Sequence, residues 1–160
     1  MRDLRISRHR MFLDMAKAAA QRGTCYRLQV GCIIVDDKSN QPIAMGYNGP
    51  PSGEEHCSGQ DCRPEGVLGC IRSLHAEANA LDRIRCMPCG VNLRMYVTDS
   101  PCVHCVEKII KEPRIAEVFF EREYRDPTGV DNLLEASIDV FKVTLAGHLI
   151  DMRTGRFGDD

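Results

Sequence analysis

Nine cysteines among 160 residues restrict this chain more than any other feature of its sequence. They stand at positions 25, 32, 57, 62, 70, 86, 89, 102 and 105, an odd count that no disulfide framework uses up. Met1–Arg10 lacks the apolar stretch of a secretion signal. A cytoplasmic chain is therefore expected, and in a reducing compartment clustered thiols bind metal or do chemistry more often than they pair. Five histidines, at 9, 56, 75, 104 and 148, are available to complete a mixed ligand set, which makes zinc the first metal to consider.

Charge and length narrow the function classes. Lysine and arginine number 21 against 23 aspartate and glutamate, a net charge of −2. Proteins that grip duplex phosphates carry a basic excess, so no nucleic-acid partner is expected. No run approaches the ~18 apolar residues of a membrane span, so no membrane partner is expected either. The length suits one domain over 1–160. Arg2, Arg5, Arg8 and Arg10 read as a solvated helix face.

Hydrophobic spacing supplies the elements. Phe12, Met15, Ala16 and Ala19 predict an amphipathic helix from Ser7 to about Arg22, ended by Gly23. VGCIIV at 30–35 and PIAMGY at 42–47 predict a hairpin across the turn residues DDKSNQ. Residues 48–72, with five Gly, three Pro and three Cys, form a connection too long to be structureless without a role. Beyond it the pattern reads helix (75–85), strand (93–98), helix (101–111), strand (116–120), helix (130–136) and strand (140–145). Strands joined through helices imply a parallel portion of sheet covered on both faces. The expected fold is α/β: a three-layer α/β/α sandwich around a mixed sheet of five strands.

Two short clusters carry the chemistry: His75-Ala76-Glu77, and Pro101-Cys102-Val103-His104-Cys105. Each opens a predicted helix. Cys102 and Cys105, three positions apart on a first turn, share a face, and the positive helix end favours thiolate over thiol. With His75 they make a three-ligand zinc site that leaves a fourth position for water, the mark of a catalytic site. Glu77 need not be a ligand and is placed to move a proton of that water. An ordinary helix start would explain HxE alone; its combination with PCxxC at this distance is the pattern of zinc nucleobase deaminases.

The remaining cysteines divide. Cys25, Cys57, Cys62 and Cys70, with His56 as an alternative ligand, surround the long loop in a spacing that resembles a closed structural zinc site; the competing reading is small buried thiols. Cys32, inside VGCIIV, reads as core. Cys86 and Cys89 form a metal or redox pair or, more simply, a helix-ending loop. His104 is expected to face away from zinc, and His9 and His148 have no readable partner.

Four stretches narrow the resemblance: RLQVG at 27–31, GYNGPPSG at 46–53, CIRSLHAEANA at 70–80 and YVTDSPC at 96–102. Together they resemble the deoxycytidylate deaminases of the zinc-dependent cytidine deaminase superfamily, over about residues 8–147. Related deaminase-like proteins occur in competence operons. The resemblance implies a cytidine deaminase-like fold and hydrolysis of dCMP to dUMP and ammonia, with Glu77 as the proton shuttle. It places the Ala76 backbone and the Ser100 carbonyl against the base, and Asn48, Arg27 and Tyr124 near sugar and phosphate. Structural readings compete for two of these: Arg27 as a solvated surface charge, Tyr124 as strand-end packing.

Some members of the family carry a second zinc on cysteines matching Cys25 and Cys57. The resemblance also implies a homo-hexamer activated by dCTP and inhibited by dTTP, with Mg²⁺ accompanying the triphosphate. Gly46, Tyr47, Asn48 and Gly49 would build part of the effector pocket, since glycines let backbone N–H groups approach phosphate closely. A plain hairpin-exit turn is the competing reading there. Two rivals stand beside the whole assignment: a deaminase of cytidine, tRNA adenosine, guanine or a pteridine-like ring, and a zinc-stabilised binding module without activity. Glu77 separates the second, because a structural site has no use for a carboxylate beside its metal.

Overall fold

Ser7 begins the first helix by accepting the Arg10 amide on its Oγ at 3.1 Å, a side-chain cap of the usual kind. Helix α1 (Arg8–Ala20) follows and buries Phe12, Leu13, Ala16 and Ala19. The computed structural model describes residues 5–57, 72–84 and 90–158. Over these the order continues as β1 (Gly31–Asp36), β2 (Pro42–Tyr47), α2 (Ala76–Arg83), β3 (Leu93–Asp99), α3 (Val103–Ile110) and β4 (Ile115–Arg122). Helix α4 (Thr128–Glu135), β5 (Asp139–Val143), β6 (Leu149–Asp151) and β7 (Phe157–Gly158) complete it.

The sheet order is β2-β1-β3-β4-β5-β6-β7, with the β3–β4 and β4–β5 pairs parallel and the rest antiparallel. The α/β class stands, but the sheet has seven strands among the described residues, not the five expected. The two extra strands come from the tail at 149–158, where pieces of three and two residues are too short to show a two-residue period. Alternation within the longer strands divides the core. Cys32, Ile34, Met95, Val97, Val118 and Phe120 face α2, α3 and α4, while Ile33, Val35, Tyr96 and Phe119 face α1. His9, with no partner legible in the sequence, lies against Phe119 with ring centroids 4.5 Å apart and its Nδ1 3.0 Å from the Tyr96 hydroxyl.

The β1–β2 turn is closed by Asp36, whose carboxylate accepts the Ser39 hydroxyl at 2.7 Å, and by Asn40 at φ 55°. Helix α3 begins two residues later than the sequence suggested: Cys102 occupies its N-cap, and Pro101, expected in the first turn, lies outside the helix. Gly46 on β2 sets the position of α2. A Cβ there would lie 2.1 Å from the Ala76 carbonyl oxygen and 2.7 Å from the Ala80 nitrogen. Both are backbone atoms and have no rotamer by which to move aside. Gly46→Ala is therefore expected to cost about 1–3 kcal/mol through overpacking. Thermal unfolding should show the melting temperature lowered by several degrees; an unchanged value would contradict this packing of α2 on β2.

Candidate active site

Helices α2 and α3 point their N-termini at the same place. Their N-cap residues are His75 and Cys102, and neither side chain makes a capping bond. Positions that Ser, Thr or Asp normally fill are thus occupied by ligand-type groups turned toward each other. His75 Nδ1 lies 3.4 Å from Cys102 Sγ and 3.2 Å from Cys105 Sγ. All the ligand atoms of the three residues lie within 4.8 Å of one another, and this is the single such cluster among the described residues.

The donor set fits zinc. Bonds of ~2.3 Å to sulfur and ~2.0–2.1 Å to nitrogen at tetrahedral angles put N and S roughly 3.5 Å apart, close to the separations here. Left to themselves the three side chains share protons. Cys105 donates to Cys102, which holds the Cys102 thiol down at about 3, while Cys105 is pushed up by that same bond and by burial. The His75 imidazole is raised first by its bond to Cys102. A divalent cation replaces those protons, as it does at any thiolate–imidazole site.

Glu77 is 4% exposed, and burial raises its carboxyl pKa. It is in hydrogen-bond contact with Cys105, so a carboxylate sits against the thiol pair in a dry setting. Cys32 lies in the β1 core beneath, its thiol pushed up by burial first and then by the Glu77 charge. That agrees with its reading as a core residue.

His75, Glu77 and Cys102 line a cavity of about 860 Å³. Arg27, Asn48, Ala76, Ser100 and Tyr124 line the same cavity, so the five residues expected at the substrate converge on the ligand cluster. Ser100 is fixed there by accepting the Tyr124 amide on its Oγ at 2.7 Å and donating its own amide to Arg122 at 2.8 Å. Polar residues that were not singled out also line the cavity, among them Ser73, Asp99, Glu123, Arg125 and Asp126, and so does His104, which was expected to face away from zinc. Asp99 Oδ2 accepts from Thr98 Oγ1 at 2.7 Å and from Arg122 at 2.8 Å. Its register opposite Arg122 could not be read from sequence. Arg125, 5.7 Å above the Tyr124 ring, was signalled only by adjacency.

Decisive comparison comes from sequence families. Residues 6–122 match the family described as the cytidine and deoxycytidylate deaminase zinc-binding region. The chain belongs to this family. It is 35% identical over 153 residues to ComE operon protein 2 of Bacillus subtilis, covering 93% of this chain and 78% of that protein. It is also 35% identical over 133 residues to the deoxycytidylate deaminase of Schizosaccharomyces pombe, covering 79% of this chain but only 40% of that longer one. Among solved structures, a cyanophage S-TIM5 dCMP deaminase in complex with dCMP and dUMP is similar. The TM-score is 0.71 at 30% identity, covering 83% of this chain and 94% of that one. Family membership makes the chain an enzyme of the zinc-dependent deaminases. No helix among the described residues is long and apolar enough to cross a membrane.

Other expected groups lie elsewhere. Gly46, Tyr47 and Gly49 do not line the cavity, and Gly46 spends its bare face on α2. The Asn48 and Gly49 amides donate to the Val30 and Leu74 carbonyls at 3.2 and 3.1 Å, so neither is free for phosphate. Cys25 is buried and is part of the cavity wall, Cys57 is half-buried and His56 exposed, whereas Cys62, Cys70, Cys86 and Cys89 fall outside the described residues. Metal analysis of Cys102→Ala should find one equivalent of zinc fewer than in the unaltered protein, whatever a second site retains. An unchanged zinc content would remove Cys102 from the ligand set.

Proposed function

We propose that this enzyme hydrolyses dCMP with one water to dUMP and ammonia, using His75, Cys102 and Cys105 as zinc ligands and Glu77 as the proton carrier. The observation that carries the reading is Glu77: a buried carboxylate against the thiol pair, at the wall of a cavity rimmed by Arg27 and Tyr124. Zinc held by these three ligands supplies Lewis acidity, lowering the pKa of a coordinated water to about 7. Glu77 takes a proton from the attacking water and delivers it to N3 of the cytosine ring. It then takes the remaining proton of the new C4 hydroxyl and passes it to the amine, so that C4 keeps the oxygen as a carbonyl and ammonia leaves. Ala76 and Ser100 hold the base through backbone groups. Arg27 meets the 5′-phosphate, for which an always-charged, bidentate guanidinium is suited.

Two substitutions and a substrate panel test this. Glu77→Gln keeps the size of the side chain but not its basicity, so zinc should stay bound while ammonia release falls by at least ~10²-fold, the usual scale of general acid–base catalysis. Loss of zinc and fold together would favour a zinc-stabilised binding module. In parallel assays dCMP should far exceed deoxycytidine in kcat/KM, because phosphate binding positions C4 for attack. Equal rates on nucleoside and nucleotide would refute the phosphate contact.

The finer parts of the proposal rest on the family resemblance. They are a homo-hexamer, activation by dCTP with Mg²⁺, inhibition by dTTP at a pocket beside Gly46, Tyr47, Asn48 and Gly49 whose phosphate donors are not the Asn48 and Gly49 amides, already bonded to Val30 and Leu74, and a structural zinc on Cys25, Cys57, Cys62 and Cys70 or His56. Any regulator must bind two enzyme states with different affinity. The dCMP saturation curve should accordingly be sigmoidal and shift in opposite directions with dCTP and dTTP. A hyperbolic curve unmoved by either, from a monomer by light scattering, would remove regulation and leave the enzyme.

A further inference from the structure

Residues 24–30 link α1 to β1 and have no helical or strand bonding before Gly31. Three of them, Cys25, Arg27 and Leu28, line both the active-site cavity and a second cavity of about 540 Å³ beside it. This segment is therefore the partition between the two, and Arg27 stands on it exposed.

What shapes the partition is Asn48. Its Oδ1 accepts the Val30 amide at 2.8 Å, and its Nδ2 donates to the Leu28 carbonyl at 2.6 Å. Its backbone carbonyl accepts the Thr24 amide at 3.1 Å, and its backbone amide donates to Val30 at 3.2 Å. Four hydrogen bonds from one residue, itself 7% exposed, thus fasten both ends of the segment to the end of β2. An amide side chain has two donors and two acceptor lone pairs, and one of each is already committed to backbone at short distance. A second tether is Gln29, whose Nε2 donates to the Gly23 carbonyl at 2.9 Å. Gln29 lines only the second cavity.

We propose that Asn48 is a positioning residue: it fixes segment 24–30 as a wall and thereby holds Arg27 where a 5′-phosphate is received. This rests on the reading that Arg27 meets the phosphate. Preference for nucleotide over nucleoside is then set by a residue whose own polar atoms face the chain. Preorganising a cation removes the ordering cost that a loose loop would charge against binding.

The experiment compares zinc-loaded unaltered enzyme with Asn48→Ala, Arg27→Ala, the double variant and Gln29→Ala. Values of kcat/KM are measured for dCMP and deoxycytidine, and amide hydrogen exchange is followed over residues 24–30. Asn48→Ala should lower the dCMP-to-deoxycytidine ratio roughly tenfold, the scale of a lost charge-assisted hydrogen bond, chiefly through KM for dCMP. Arg27→Ala should lower it at least as much, and the double variant no further. Gln29→Ala should move the ratio in the same direction by a few-fold, although its side chain does not line the active-site cavity. Exchange over 24–30 should quicken in both the Asn48 and Gln29 variants.

If Asn48→Ala slows both substrates equally, or adds fully to Arg27→Ala, Asn48 acts by direct contact or by stability alone and the proposal is overturned. Unchanged exchange in Asn48→Ala overturns the clamp by itself. Should the unaltered enzyme show no preference for dCMP while exchange quickens as expected, the phosphate reading fails and takes the proposed consequence with it, but the clamp stands.

Discussion

Two close backbone approaches determine where the reactive groups of this protein lie. The bare face of Gly46 receives the Ala76 carbonyl at the start of α2, and that of Gly129 on α4 receives the Pro101 carbonyl just before α3; an added Cβ would come within 2.1 and 2.0 Å of them. Each carbonyl neighbours a candidate ligand, His75 in one case and Cys102 in the other. The sheet fixes one ligand-bearing turn and α4 fixes the second, and their convergence brings an imidazole and two sulfurs within bonding range of one ion. Interiors packed to crystal-like density transmit small displacements instead of absorbing them, so these contacts govern chemistry several residues away.

On that frame the electrostatics are simple. Helix starts supply partial positive charge where a thiolate is wanted, and burial makes the Glu77 carboxylate a more avid proton acceptor than an exposed one. The same dryness would be costly for an unpaired charge elsewhere. Arg10, expected on a solvated helix face, is instead buried with its side chain 7% exposed and is met by Glu121 at 2.5 Å and by Asp14 at 2.8 Å. Ion pairing on the α1 face is thus structural, and around the cavity too Asp99 is paired with Arg122 and Glu123 with Lys142.

How much of this was legible in the sequence depended on whether the signal was local. β2 came out with its observed bounds because a turn and a proline frame it, and α1 because its apolar spacing is regular and Ser7 caps it. His75, Glu77, Cys102 and Cys105 were legible because ligand chemistry demands fixed spacing at helix starts. The tail strands were not, since a three-residue and a two-residue piece carry no period. Nor could composition reveal that Gly46 serves helix packing, or that the Asn48 amide is spent on residues 18 and 20 positions earlier. Those facts belong to tertiary register, which a one-dimensional pattern does not contain.

The sheet order has a consequence for self-association. An open edge strand is a template onto which another chain can hydrogen-bond, and natural sheets blunt such edges. One edge here is β7, only two residues long, which offers too few free groups to nucleate a ladder. The other is β2, which opens on Pro42, a residue with no N–H to give, and closes on Tyr47, whose carbonyl already accepts the Asn79 side-chain amide at 2.8 Å. Among the described residues, both borders of the sheet are therefore blunted against strand-by-strand growth, β7 by its shortness and β2 at its two ends.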